Sequence, residues 1–323
     1  MTCPEHVLYA YSLNDGHARS LEWKEVLSWQ PDKGPIWIHL DRVANESQAW
    51  LRNDVKLDSN IVECLLASGT RPRFEAGDKG LFLTLRGVDL NPGADPSEMI
   101  SIRIWVEPNR LITLEREHLL SVSAVAEQFK NGCGPASIGE LLVTIISGLT
   151  ERIGSVIDDI DELMDDIEDH IVDPEREADR SELIRIRQKA IKLHRYIKPQ
   201  SQAIFDLYAA KFESIDTKQQ QLLKETINRV TRYVEDIDSI KSRAAVVQDE
   251  LANQIAQHTN QRMYTMTIIA AIFLPLTFGA GMLGINVGGI PGSTYPHGFL
   301  VVSIIFMIIG IIEFFIARYC KWL

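Results

Sequence analysis

Two apolar runs near the end of the chain constrain its fold more than any other feature. Thr265 to Gly284, TMTIIAAIFLPLTFGAGMLG, carries no charge over twenty residues, and Gly298 to Ala317, GFLVVSIIFMIIGIIEFFIA, carries only Glu313. As helices rising about 1.5 Å per residue, each reaches roughly 30 Å, the thickness of a bilayer's hydrocarbon core. They predict membrane-spanning helices over 265–284 and 298–317. The competing arrangement, a helical hairpin buried in a soluble core, would need sequence-distant apolar surface to pack on, and two such runs in the last sixty residues leave none.

The flanks set the orientation. Arg262 precedes the first run and Arg318 and Lys321 follow the second, whereas the connecting loop 285–297, INVGGIPGSTYPH, has neither Lys nor Arg. Positive charge gathers on the cytoplasmic side, so both termini, including the tail 318–323, are expected in the cytoplasm. Tyr264, Tyr319 and Trp322 at the inner ends, with Tyr295 and Phe299 at the outer end, fit interfacial aromatic belts. Gly279, Gly281 and Gly284 spell G-x-G-x-x-G, but a dinucleotide fingerprint needs a strand before it, a helix opening after it and an acid about twenty residues on. Here an apolar span precedes it and a Gly/Pro loop follows. The glycines suit close helix approach in lipid, or departure from the helix at the outer mouth.

Upstream, residues 213–264 form a predicted stalk. From Thr217 to Tyr264 there is no Pro or Gly, and Leu223, Ile227, Val230, Val234, Ile237, Ile240, Ala244, Val247, Leu251 and Ile255 recur at helical steps. A stalk with such a stripe cannot bury it alone, and two spans enclose no pathway, so copies are expected to pack around an axis. Residues 136–212 read as a helical hairpin broken at Asp173-Pro174. Positions 151–180 hold thirteen Asp or Glu against three Arg, and 181–200 hold six Lys or Arg against one Glu, so the two arms are expected to compensate each other in part. Asp166, His170 and Asp173 share a helical face and form a candidate cation-gathering patch, against the plainer reading of a solvated acidic face.

Residues 1–135 look different. The runs HVLYAYSL, GPIWIHL, GLFLTLRGVDL, EMISIRIWVE and RLITLER alternate with turn clusters and with helical stretches near 45–67 and 119–130, predicting an α+β domain. It has no P-loop, H-E-x-x-H or G-x-S-x-G, and His39, between Ile38 and Leu40, reads as a satisfied core histidine, so no enzyme is expected. A net charge of −11 without an uncompensated basic stripe argues against nucleic acid. Four scattered cysteines imply free thiols in a reducing compartment, and the first residues lack the features of a signal peptide.

This order of parts, ending in YTMTIIAAIFLPLTFGAGMLGIN, a short loop and a second span before RYCKWL, resembles the CorA superfamily of divalent-metal transporters. Gly284-Ile285-Asn286 matches that family's G-x-N signature, in its expected place after FLPLTF. Most magnesium channels of the family read G-M-N followed by a loop with an acidic residue. GINVGGIPGSTYPHG has no carboxylate and is similar to the ZntB zinc-transporter branch. The resemblance implies a homopentamer in the bacterial cytoplasmic membrane, a central pore lined by the first span, and a funnel-like cytoplasmic part. It also implies Zn²⁺ as cargo, with Cd²⁺, Ni²⁺ or Co²⁺ beside it, and no cofactor. A magnesium or cobalt channel and a zinc exporter stay open as alternatives, and outside transport a membrane-tethered sensor or scaffold does too.

The residues themselves suggest a pore face. Asn260, Met263, Thr267, Ala270, Leu274, Thr277 and Gly281 recur every three or four positions and are milder than the Ile/Phe-rich remainder. The family pattern adds Met266. Thr277 and Asn286 can meet hydrated cations through water, and Met263, Met266 and Leu274 can form apolar gates. Asn286 also suits a helix C-terminal cap. His297 lies in the outer loop and Glu313 is the only carboxylate in a span, so both are candidates for proton sensing. A negative-inside potential favours divalent entry by about 4.6 kcal/mol per 100 mV, twice the single-charge value.

Overall fold

The computed structural model describes residues 4–14, 17–172, 180–285, 288–290, 292 and 295–319, with the backbone alone at 14, 17 and 170–172. All five predicted strand runs form strands: β1 (Val7–Asn14), β3 (Ile36–Asp41), β5 (Leu81–Val88), β6 (Met99–Glu107) and β7 (Arg110–Glu115). Two further strands of four residues, β2 (His17–Ser20) and β4 (Arg73–Ala76), close the two edges of a seven-stranded sheet ordered β2-β1-β3-β7-β6-β5-β4. Only the central β3–β7 pair is parallel. Strands β5, β6 and β7 are buried at nearly every position, which is what a sheet covered on both faces requires.

On one face lie the short helices α1 (Trp23–Leu27), α2 (Asn45–Asn53) and α3 (Ser59–Leu66), packed through Trp50, Leu51, Val62 and Leu65 onto Ile38, Leu40, Ile112 and Leu114. Each such side chain contributes about 1.5–3 kcal/mol by leaving water. The Asp58 carboxylate caps α3, accepting from the Asn60 N–H at 2.8 Å. On the other face lie α4 (Leu120–Lys130) and α5 (Ile138–Val172), with Phe129 tilted on Trp37 at 5.6 Å. A Cβ at Gly87 would lie 2.8 Å from Leu149 and 2.9 Å from Leu119, so the β5 backbone and this helical layer meet closely there.

Helices α6 (Arg180–Ala209) and α7 (Thr217–Leu283) follow, and α8 (Gly298–Tyr319) is the last element. The chain divides into two compact units, Met1–Gln248 and Asp249–Leu323. The hairpin helices belong to the first unit with the sheet. Where β4 has ended, the Gln200 side chain of α6 takes its place beside β5: the Arg86 N–H donates to its Oε1 at 2.7 Å, and its Nε2 donates to the Arg86 carbonyl at 3.1 Å. On α7, Leu223, Val230, Tyr233, Ile237, Ile240, Ala244 and Val247 are buried within the unit. This corrects the expectation of a stripe that stands bare until copies assemble: as far as Val247 the chain covers it itself. Beyond that point Leu251 is half-buried and Ile255 exposed. Contact between α5 and α7 is close, since a Cβ at Gly154 would lie 2.2 Å from the Tyr233 hydroxyl.

Part of the compensation of α5 comes from α7. Among the described residues the acidic face of α5 meets Arg243 of α7, whose Nη1 reaches Asp161 at 2.7 Å, whose Nε and Nη2 grip Glu168 at 2.9 and 2.7 Å, and whose Nη2 also meets Asp165. These contacts, the hydrogen bonds to Glu168 foremost, raise the guanidinium above its ordinary value. Lys192 of α6 pairs with Asp95 and Glu98.

In the second unit the span portion of α7 packs on α8. A Cβ at Gly279 would lie 3.1 Å from the Phe306 ring, and one at Gly310 would lie 3.7 Å from Leu276. Both helices are long and apolar enough to cross a membrane, and almost nothing of their apolar stretches is buried. That excludes the buried-hairpin alternative among the described residues. Exposed rings such as Phe278, Phe299 and Phe315 need an apolar medium.

Candidate functional site

The span of α7 has two unlike faces. Ile268 is buried and Ile272, Leu276 and Gly279 are half-buried, and Leu276 and Gly279 approach α8. Met263, Thr267, Ala270, Leu274, Thr277 and Gly281 are all exposed, Met263 at 61% and Leu274 at 73%. With 3.6 residues per turn, the midpoints of the two sets lie roughly 180° apart. The predicted pore face is thus the face that α8 leaves free. Asn260 and Met266, both exposed, flank it on opposite sides at about 60° from its centre.

This face carries no ionised side chain, and its hydroxyls are oriented. Thr267 donates to the Met263 carbonyl at 2.8 Å and Thr277 to the Phe273 carbonyl at 2.7 Å. With their protons committed to the helix, both oxygens present lone pairs outward. A hydrated cation turns its water hydrogens outward, so acceptors of this kind suit it.

The three glycines divide their roles. Gly279 serves close packing against Phe306, whereas a Cβ at Gly281 would meet no heavy atom within 4 Å, so packing on α8 does not require that glycine. Gly284 ends the helix, its N–H donating to Ala280 at 3.0 Å and Gly281 at 3.2 Å. Ile285 is exposed, and Asn286 lies outside the described residues. In the loop, Gly289 and Gly292 take φ of 97° and 82°, a region that favours glycine. His297 stands edge-on to Tyr295 at 6.0 Å, and its carbonyl accepts from the Val301 N–H at the start of α8. Glu313 is half-buried, and its Oε2 has no hydrogen-bond partner.

Of the acidic patch, Asp166 is exposed on α5, while the His170 side chain and Asp173 lie outside the described residues. Among the described residues no three His, Cys, Asp or Glu side chains are grouped so as to hold a metal ion.

The sequence pattern of the family described as CorA-like Mg²⁺ transporter protein matches residues 32–318. The chain belongs to that family. Membership sets this CorA-family protein among divalent-cation transporters. It is 34% identical over 322 residues to the divalent cation transporter CmaX of Pseudomonas aeruginosa, covering 98% of this chain and 97% of that one. It is 31% identical over 290 residues to the zinc transport protein ZntB of Pectobacterium atrosepticum, covering 90% and 88%. The structure of full-length CmaX superposes with a TM-score of 0.86 over 99% of both chains at 32% identity. The CorA magnesium transporter of Methanocaldococcus jannaschii shares the fold over the full length of both chains, with a TM-score of 0.83 at 16% identity.

Sequence reasoning missed two polar clusters in the first unit of this CorA-family chain. His39 is the core histidine expected, fully buried with Nδ1 2.8 Å from the Thr113 hydroxyl, and its Nε2 lies 3.3 Å from Glu115 without forming a hydrogen bond. His118 meets the other oxygen of Glu115 at 3.4 Å, and the Leu119 N–H donates to Glu115 at 3.0 Å. Burial alone would raise the Glu115 carboxyl, but His39, the Leu119 N–H and His118 together hold it below its ordinary value. The signal was the single acid ending the run RLITLE, two residues after Thr113 on one face of β7. The second gathers Arg42, Arg73, Arg86 and Arg103, whose charges act on one another.

Proposed function

We propose that the protein moves Zn²⁺, with Cd²⁺, Ni²⁺ and Co²⁺ as companion substrates, across the bacterial cytoplasmic membrane. The path is a central pore in a homopentamer, lined by the free face of α7. The observation that carries this reading is that face: uncharged, offering the outward lone pairs of Thr267 and Thr277, turned away from α8 and followed in the sequence by Gly284-Ile285-Asn286. In five copies Met263, Met266 and Leu274 form apolar constrictions, Thr277 a ring of acceptors and Asn286 the outer selectivity ring. Zinc is favoured by the outer loop without a carboxylate and by the likeness to proteins named for zinc transport. Both termini are assigned to the cytoplasm, and the membrane potential drives entry. His297 and the shielded carboxylate of Glu313 are assigned to proton sensing. Asp166, with His170 and Asp173, belongs to an acidic surface that attracts cations diffusely rather than by coordination.

Flux into proteoliposomes, measured for Zn²⁺, Mg²⁺, Ni²⁺ and Cd²⁺ with and without a pH gradient, tests the reading. Zn²⁺, Cd²⁺ and Ni²⁺ should enter and Mg²⁺ should not, with the Zn²⁺ rate responding to the gradient. Asn286→Ala should cut Zn²⁺ flux about tenfold, equivalent to about 1.4 kcal/mol, or admit Mg²⁺. Flux of Mg²⁺ together with Zn²⁺ would support the broader substrate range that likeness to a divalent cation transporter favours. Mg²⁺ flux without Zn²⁺ would overturn the zinc assignment, and absence of any flux would leave the scaffold reading.

A further inference from the structure

We propose that the first unit holds a binding site for a small multivalent oxyanion, phosphate in size and charge, built from Arg42, Arg73, Arg86 and Arg103 on the face of β4, β5 and β6. Strand register makes the cluster. Arg73 stands opposite Thr84 across β4 and β5, and Thr84 stands opposite Arg103 across β5 and β6. Residues directly opposed in neighbouring strands share a face, so the three form one row, and Arg86 follows two residues after Thr84 on that face.

Several polar atoms of this row are buried and underused. Arg103 is 1% exposed and donates through Nη2 to the Ala67 carbonyl at 3.1 Å, while its Nε and Nη1 have no partner. The Thr84 and Thr70 hydroxyls and the Nε groups of Arg42, Arg73 and Arg86 are likewise buried without a partner. Seven of the eleven such atoms among the described residues thus fall in one cluster. Buried donors are ordinarily satisfied, and this concentration in one place needs an acceptor.

The other donors are pinned by backbone carbonyls. Arg42 donates to Leu66 at 3.0 Å and Arg86 donates to Thr70 at 3.0 Å, so the segment from Leu66 to Thr70 fixes the guanidinium planes. Arg86 is further clamped over the Tyr196 ring at 4.1 Å. Charge is in excess as well. Among the described residues, Glu75 pairs with Arg73 at 3.1 Å, and Glu117, the acid that acts on Arg86 and Arg103, is already paired with Arg116 at 3.1 Å. Burial, then the charges of Arg42, Arg86 and Arg73, pull Arg103 down to about 10, so desolvation and neighbouring cations act together against its charge.

A tetrahedral oxyanion answers all of this, since its oxygens accept from forked guanidinium donors and hydroxyls together. Arg73 also lines a groove of about 620 Å³ between β4 and α6, with Arg71, His194, Arg195 and Lys198 on its walls and Asp206 its single carboxylate among the described lining residues. Such a basic groove attracts anions to the Arg73 end of the row. Free phosphate and the terminal phosphate of a nucleotide share this chemistry.

The test uses the full-length protein in detergent. Thermal unfolding and titration calorimetry with sodium phosphate, sodium sulfate, ATP and NaCl at matched ionic strength should show saturable stabilisation by phosphate and none by chloride. Arg103→Met should abolish it. Arg42→Gln and Arg73→Gln, at half-exposed positions that the fold tolerates more readily, should each weaken phosphate binding at least tenfold. Saturation by phosphate alone would assign the site to the free anion, and tighter binding of ATP would assign it to a nucleotide phosphate. If phosphate acts no differently from chloride, water satisfies these donors and the proposal is wrong. Binding that survives both glutamine variants unchanged would overturn it equally.

Discussion

Arg243 should contribute measurably to holding α7 against α5, and replacing it with Met isolates that contribution. Met keeps much of the aliphatic stem while removing the fork that joins Asp161, Asp165 and Glu168. Arg243 is 27% exposed and its partners are 47%, 64% and 36% exposed, so water screens each pair to about 0.2–1 kcal/mol. Three pairs sum to roughly 1–3 kcal/mol. Asp161, Asp165 and Glu168 lie at helical steps of four and three, so the vacated carboxylates repel one another by about a few tenths more. A net loss of about 2 kcal/mol lowers the melting temperature of a unit this size by roughly 4–8 °C. Differential scanning fluorimetry of the detergent-purified protein should find that drop at low salt. In 1 M NaCl, where the Debye length is about 3 Å, at least half of it should vanish. Arg243→Lys should recover less than half, because one ammonium cannot span three carboxylates. An unchanged melting temperature at low salt, or a drop indifferent to salt, would refute the reasoning.

Glu115 predicts an acid limb in the stability of the first unit. Its carboxyl is held below the ordinary value, so near pH 4 the unfolded chain binds more protons than the folded one. Its contribution is complete above about pH 5 and is lost as pH falls through the lowered value. Glu115→Gln should therefore cost about 1–3 kcal/mol at pH 7 and flatten the decline below pH 4, as followed by urea melts across pH. Thr277→Val keeps the shape but removes the outward lone pairs, and should lower cation flux several-fold in proteoliposomes with the melting temperature unchanged within about 1 °C. Gly279→Val pushes against Phe306 and should cost about 1–3 kcal/mol, whereas Gly281→Ala, facing open space, should leave the monomer's packing unaffected. Spectroscopic melts of the two variants side by side would decide this.

The parts of the fold visible in the sequence were those where one interaction dominates. The central strands announced themselves because burial on both faces demands unbroken apolar runs, and the spans because lipid demands the same over twenty residues. The edge strands HARS and RFEA stayed hidden, since four polar or mixed residues carry no period. The free face of α7 was legible in its mildness, but the packing of Gly279 on Phe306, and hence which glycine does what, depends on the register of a second helix. Long-range polar pairing was the blind spot. That Arg243 of the stalk answers acids of α5 depends on how three helices turn toward one another, and charge totals cannot reveal it. Arg103 did leave a trace, as the one cation inside MISIRIWV, where alternation already placed it on a covered face.

The Gln200 amide has a consequence for how the chain survives its own synthesis. Past Thr84, β5 has no strand on its outer side, and an open edge of that kind invites the same segment of another copy to pair with it. One donor and one acceptor on a single side chain fill that place at Arg86, so a helix serves as a one-residue strand. Until α6 has been made and folded back, the edge stays open while copies bound for the same membrane accumulate. The hazard is greatest in the interval between the sheet's completion and the arrival of Gln200, and Gln200→Ala should lengthen it, raising the aggregated fraction on expression more than it lowers the stability of the protein that does fold.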